Sequence, residues 1–175
     1  MAKFGKHGTN YEELIRQFLD AAKSKLGAPH DFSVGDKTIQ FKYSKCYPVR
    51  PVEAKAKKWN QAYIWVWDDL FGDSGINNFA FLLLGGVRPG FDLSNTVDDL
   101  QLFLLPRELI FTAANGRNRI ECQTEITTNC RKITRLVHKH EIDKEQLLIW
   151  AAGLKSGNSR SPSPVMKSQQ GSLFV

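Results

Sequence analysis

A chain of 175 residues with 42% hydrophobic and 11% aromatic side chains has enough apolar material for one sizeable core, which excludes an intrinsically disordered polymer. The three cysteines (Cys46, Cys122, Cys130) are odd in number and lack C-x-x-C spacing, which argues against a disulfide framework or a zinc site and for reduced intracellular thiols. The formal net charge of +6 admits a polyanionic partner, and no apolar run reaches transmembrane length, so a cytoplasmic protein without membrane association is expected.

Thr9 or Asn10 is a candidate helix cap, with Glu12 and Glu13 in the first turn where the helix dipole favours acids. Leu14, Ile15, Phe18, Leu19 and Ala22 form the apolar stripe of that helix, which the sequence carries to about Lys25, before Gly27-Ala28-Pro29. A β-hairpin over residues 30–43 comes next. Gly35-Asp36 suits a two-residue turn with Gly supplying positive φ at the first central position. That turn pairs Val34 with Lys37 and sets Asp31 opposite Gln40. The strand period of two then returns Lys42 to the face of Gln40 and sends Ile39 and Phe41 into a core. A carboxylate, an amide oxygen and an ammonium on one patch suit a hard divalent cation beside an anionic substrate, although an ordinary wet hairpin face carries the same residue types.

Val52–Phe71 fits a helix with the stripe Trp59, Ala62, Tyr63, Val66 and Leu70. Tyr63, Trp65 and Trp67 also alternate as in a strand, and the length of the segment favours the helix. Phe79–Val87 reads as a strand buried on both faces and ending at Gly85-Gly86-Val87. Leu100–Leu105 is a second strand, stopped by Pro106, and Arg107–Ala113 begins a short helix. Ile120–Ile126 is a further candidate strand, Thr128–His138 a basic helix, and Asp143 the cap of a helix to Leu154. The tail from Ser156, rich in Ser, Pro and Gln, reads as disordered. These elements describe an α/β fold with a central mixed β-sheet flanked by helices.

Charge is segregated along the chain. Residues 42–58 hold six Lys/Arg, including Lys42, Lys45 and Arg50, against Glu53 alone. Residues 115–140 hold six more (Arg117, Arg119, Arg131, Lys132, Arg135, Lys139) against Glu121 and Glu125, whereas residues 68–108 hold seven acids and only Arg88 and Arg107. Such segregation suits a phosphate-binding surface, with solvated helix faces as the plain alternative. Arg131, Arg135 and Lys139 recur at i, i+4, i+8 and would line one helix face. His138 and His140 do not share a helix face and read as a surface pair, Asp68-Asp69 as acids at a helix C-terminus, and the tryptophans as core before base-stacking platforms.

A helix Glu (Glu12 in Gly8-Thr9-Asn10-Tyr11-Glu12), then Asp31 after Pro29-His30, then Gln40-Phe41-Lys42, resembles the PD-(D/E)xK nuclease superfamily. That superfamily includes many restriction endonucleases and Holliday-junction resolvases. The order continues downstream, where Gly85-Gly86-Val87 and Phe103-Leu104-Leu105-Pro106-Arg107-Glu108-Leu109 are similar to the fourth and fifth strands of restriction-type members. The resemblance covers about residues 8–113 and implies a restriction-endonuclease-like core there. Residues 114–155 would be a basic α/β extension packed on it and contacting DNA, and 156–175 a disordered tail. It implies a Mg²⁺-dependent endodeoxyribonuclease in which Asp31, Gln40, the carbonyl of Phe41 and Glu12 hold the metal. Lys42 would orient the attacking water and stabilise the phosphorane. Gln40 stands where most members carry an acid, as in the Q-x-K variants, so Glu12 gains importance; locally, Glu13 competes with it. Lys25 and Asp31 are close together in sequence, so either the helix is shorter than its stripe or the sheet is trimmed.

By this reading DNA is the partner, with Lys45, Arg50, Arg131, Arg135 and Lys139 as phosphate contacts. A duplex cutter commonly acts as a two-fold dimer, so a homodimer is also expected. In the runner-up reading, Gln40 is a sign of lost activity, in a catalytically inactive DNA-binding protein that retains the nuclease fold. A third reading is an interaction subunit whose acidic middle docks a partner.

Overall fold

Apolar side chains at Tyr11, Ile15 and Leu19 seat the first helix on the sheet with all three essentially buried. The computed structural model describes residues 5–25, 30–49, 63–70, 79–89, 96–114 and 116–157, with side chains from Asn10 onward. Helix α1 covers Gly5–Phe18, so Thr9 and Asn10 lie inside it and not at its cap, and Glu12 and Glu13 are interior residues. Each added helical residue gains a hydrogen bond, and the cost of Gly8, about 1 kcal/mol, does not stop that propagation. Asp20 adopts a positive φ of 47° and closes the helix. The stretch expected to continue it to Lys25 instead forms strand β1 (Ala22–Lys23), paired antiparallel with β2 (Phe32–Val34). The shorter helix is the alternative realised, and it leaves room for a strand.

The hairpin has the expected register. Val34 faces Lys37 and Phe32 faces Ile39 on β3 (Lys37–Ser44), with Gly35 at φ 58° in the turn. A Cβ on Gly35 would also come within 2.6 Å of the Leu154 carbonyl oxygen. Two constraints therefore select glycine at this position.

β3 pairs in parallel with β6 (Phe81–Val87), β6 antiparallel with β7 (Leu100–Pro106), and β7 with β9 (Glu141–Ile142), giving a mixed six-stranded sheet in the order β1-β2-β3-β6-β7-β9. Alternation along β6 sends Leu83 and Val87 to one face and Leu82 and Leu84 to the other, and both faces are buried. The first face packs under α1 and under α4 (Lys144–Lys155), whose cap is Asp143 as expected. The second face is covered by α2 (Arg107–Ala114), α3 (Lys132–His138) and a small antiparallel sheet. That sheet orders β4 (Cys46–Pro48), β5 (Tyr63–Asp68) and β8 (Arg119–Gln123). Residues 114–155 thus contribute β9 to the main sheet and Leu147, Trp150, Ala151 and Leu154 to its core.

Residues 63–68 form a strand, which corrects the expected helix; residues 52–62 lie outside those described. Trp65 and Trp67 are fully buried on one face of β5, and their indole N–H groups donate to the Val87 and Gly85 carbonyl oxygens at 2.7 and 3.1 Å. Two buried indoles two residues apart with satisfied N–H groups outweigh the helical stripe. Gly86 makes the approach possible, since a Cβ there would stand 2.5 Å from the Trp65 ring. Gly85 and Gly86 therefore belong to the paired body of β6, where the indoles lie against them.

Candidate functional site

β2 and β3 part company at Asp31. The Asp31 N–H still donates to the Ile39 carbonyl, but the Asp31 carboxylate, not a backbone carbonyl, accepts the next N–H of β3, from Phe41, at 2.7 Å. The same Oδ2 accepts from the Gln40 side-chain amide at 2.8 Å. In a strand the N–H and C=O of one residue project to the same edge, so the Phe41 carbonyl faces the edge that β2 leaves open. Ile39 and Phe41 are buried against α1, while the register puts Gln40 and Lys42 opposite Leu82 and Leu84 on the other face of the sheet. The expected hairpin patch therefore forms at a fork in the sheet edge.

Glu12, on α1, is coupled electrostatically to Asp31 and Lys42 at this fork. Burial raises its pKa first, and the negative charge of Asp31 raises it further, with Lys23 and Lys42 opposing. Asp31 is also raised by burial, against the Phe41 and Gln40 hydrogen bonds and the Lys42 charge. Two carboxyl groups held above their ordinary range, each made harder to ionise by its surroundings, are the electrostatic condition that a bound cation relieves. Glu13, by contrast, is held down to about 2 by hydrogen bonds from Arg16 and Gln17. Of the two adjacent acids, Glu12 is the one whose pKa the Asp31 charge raises.

Lys42 Nζ lies 3.9 Å from Asp69 Oδ2. Asp69 follows β5 in a left-handed conformation, φ 53°, and its Oδ1 accepts from Asn118 Nδ2 at 3.3 Å. Reading Asp68-Asp69 as acids ending a helix misses this contact. The period-two run Tyr63-Trp65-Trp67 was the signal for it, because a strand there carries its C-terminal end past β3.

No family model, curated protein or solved structure matches the chain. The residues themselves must therefore speak for the site. Among the described residues no three of His, Cys, Asp or Glu cluster as a metal-binding group. The donor set at the fork is two carboxyls, one amide oxygen and one main-chain carbonyl, all oxygen, which fits a hard cation such as Mg²⁺ and not a thiolate- or imidazole-seeking metal.

The remaining candidates disperse. Lys45 is exposed in the β3–β4 link, and Arg50 lies outside the described residues. Arg131 precedes α3 with φ −64° and ψ 151°, Lys139 follows it, and the expected row of three on one helix face becomes two and one. Arg131 pairs with Glu121 at 3.2 Å. Arg135 donates to the Thr128 carbonyl at 2.9 Å and shares a groove with Thr112, Leu136 and Lys139. His138 and His140 are not a surface pair. His138 has a side chain only 6% exposed, packed on Trp65 and Phe103, with Nε2 2.9 Å from the Gln123 carbonyl. His140 is buried, and burial lowers its pKa. Because α3 ends at His138, the two rings follow the turn into β9 and not a solvated helix face.

Proposed function

We propose that this chain is a metal-dependent DNA endonuclease of restriction type on a PD-(D/E)xK-like core. The observation that carries the reading is the convergence of Asp31, Gln40 and Lys42, with Glu12 coupled to them, at the open fork between β2 and β3. Hydrolysis of a phosphodiester needs a positioned water and neutralisation of charge building on the phosphoryl oxygens. A bound Mg²⁺ would supply Lewis acidity toward a phosphoryl oxygen and acidify a water. Asp31, held rigidly by the Phe41 N–H and the Gln40 amide, would be its fixed ligand, with Glu12, the Gln40 oxygen and the Phe41 carbonyl beside it. Lys42, partly buried and steadied by Asp69, holds its ammonium at the fork, where it can donate to a phosphoryl oxygen or to the attacking water.

Supercoiled plasmid incubated with the protein and Mg²⁺ should be cut, and EDTA should stop the reaction. Asp31→Asn and Lys42→Ala should each lower the cleavage rate by roughly 100-fold or more, the scale of losing a metal ligand or a transition-state donor. Wild-type rates in either variant overturn the assignment. One observation favours a second reading, a catalytically inactive DNA-binding protein: among the described residues the fork has two acids, with a neutral amide at position 40. Salt-sensitive DNA binding with no cleavage by any divalent metal would select it.

A further inference from the structure

A cleft of about 380 Å³ opens between β8 and the N-terminal end of α3, lined by Arg117, Arg119, Glu121, Arg131, Lys132 and Ile133. Its cations are not scattered. Arg119 pairs with Asp68 at 3.2 Å and with Glu121 at 3.3 Å, and Arg131 holds the other oxygen of Glu121. Glu121 therefore draws two guanidinium groups toward each other across the cleft. Arg117 and Lys132 add two more positive charges and form no side-chain ion pair among the described residues. The cations outnumber the acids that contact them, so the cleft keeps an excess of positive charge and planar donors suited to a phosphate group. Its position gives it a context. Arg117 and Arg119 flank Asn118, and Asn118 donates to the Asp69 carboxylate that faces Lys42. The contacts from Lys42 to Asp69 and from Asp69 to Asn118 thus connect the fork to the segment that carries Arg117 and Arg119.

We propose that this cleft binds two adjacent backbone phosphates of a polynucleotide strand, on one side of the phosphate held at the fork. The proposal deepens the nuclease reading and rests on it for the strand's placement, but the cleft's own anion affinity does not depend on catalysis. The variant to use is the double replacement Arg117→Ala with Lys132→Ala, both exposed and outside the fork, with an unchanged melting temperature as the check on folding.

Two measurements decide. Calorimetric titration with inorganic pyrophosphate should show binding by the wild type and at least a tenfold loss in the double variant. The affinity for a fluorescent duplex, followed against salt in Ca²⁺ to prevent cutting, should weaken, with the slope of log K against log salt falling by about two units. Absence of pyrophosphate binding, or an unchanged slope, overturns the proposal. An uncleaved duplex whose binding slope still falls in the variant overturns the nuclease reading and supports the cleft.

Discussion

Asp31 carries a cost that its hydrogen bonds do not fully offset. Its pKa stands above the ordinary carboxylate value because burial outweighs the Phe41 N–H, Lys42 and Gln40. A carboxyl whose pKa is raised by folding binds its proton more tightly in the folded state. The folded state is therefore penalised at pH values above the raised pKa, and the penalty disappears as pH falls below the unfolded value of about 3.9. Asp31→Asn removes the charge, keeps an oxygen for the Phe41 N–H, and lets Gln40 turn its amide to accept. In EDTA at pH 7 this variant should melt at or above the wild-type temperature, by about 2–4 °C per kcal/mol relieved. The gap should close on acidification. Added Mg²⁺ should raise the melting temperature of the wild type only, through binding to the folded state, and less so at acidic pH where Asp31 and Glu12 take up protons. An equal rise in both proteins would remove Asp31 from any metal site. At this scale much of the site was legible, because Gly35-Asp36 and a period of two were enough to bring Asp31 to Gln40. Glu12 over Glu13 was not, since that choice depends on where α1 meets the sheet edge.

The strands and helices show where local pattern lost to packing. Tyr63-Trp65-Trp67 alternated as a strand, yet a long run with helical spacing outweighed it in the sequence. The deciding contact lies in another element, the close approach of Trp65 and Trp67 to the glycines of β6. No window along residues 52–71 contains Gly86. The end of α1 was hidden for a similar reason, as Ala22 continues the helical stripe but is exposed in β1 and hydrogen-bonded to β2. Strand β6, buried on both faces, matches the sequence expectation because an unbroken apolar run points to little else. Gly86→Ala tests the packing account directly. The added methyl would meet the Trp65 ring at 2.5 Å, backed by β8 and α3, so the small sheet must shift. A loss of about 1–3 kcal/mol in urea unfolding is expected, the usual cost of overpacking, with altered near-ultraviolet circular dichroism from the tryptophans. A cost below about 0.5 kcal/mol would mean that the small sheet does not seat on β6 as described.

For the whole molecule, the segregation of charge seen along the chain becomes a division of surfaces around α3. Lys132 and Ile133 line both the cleft toward β8 and the groove that holds Arg135 and Lys139, so α3 stands as a ridge between two basic concavities. Ile133, Leu136 and Val137 root that ridge in the core beneath the small sheet. The sequence foresaw a single row of phosphate contacts because the i, i+4, i+8 spacing assumes that the helix includes Arg131. The arginine instead precedes the first helical turn and turns to Glu121, which divides the row between the two concavities. Whether one duplex spans both is a question of additivity. Arg117 faces one concavity and Arg135 and Lys139 the other, while Lys132 lines both; the two pairs share no ion-pair partner among the described residues, so they should act nearly independently. Arg135→Ala with Lys139→Ala should lower the salt slope of duplex binding by about two units, and combining it with the Arg117 and Lys132 replacements should lower it by about four. A combined change of only two units would mean that a bound duplex uses one side of the ridge, with the other facing solvent. The measurement is anisotropy of one labelled duplex across a salt series for the wild type, each double variant and the quadruple variant.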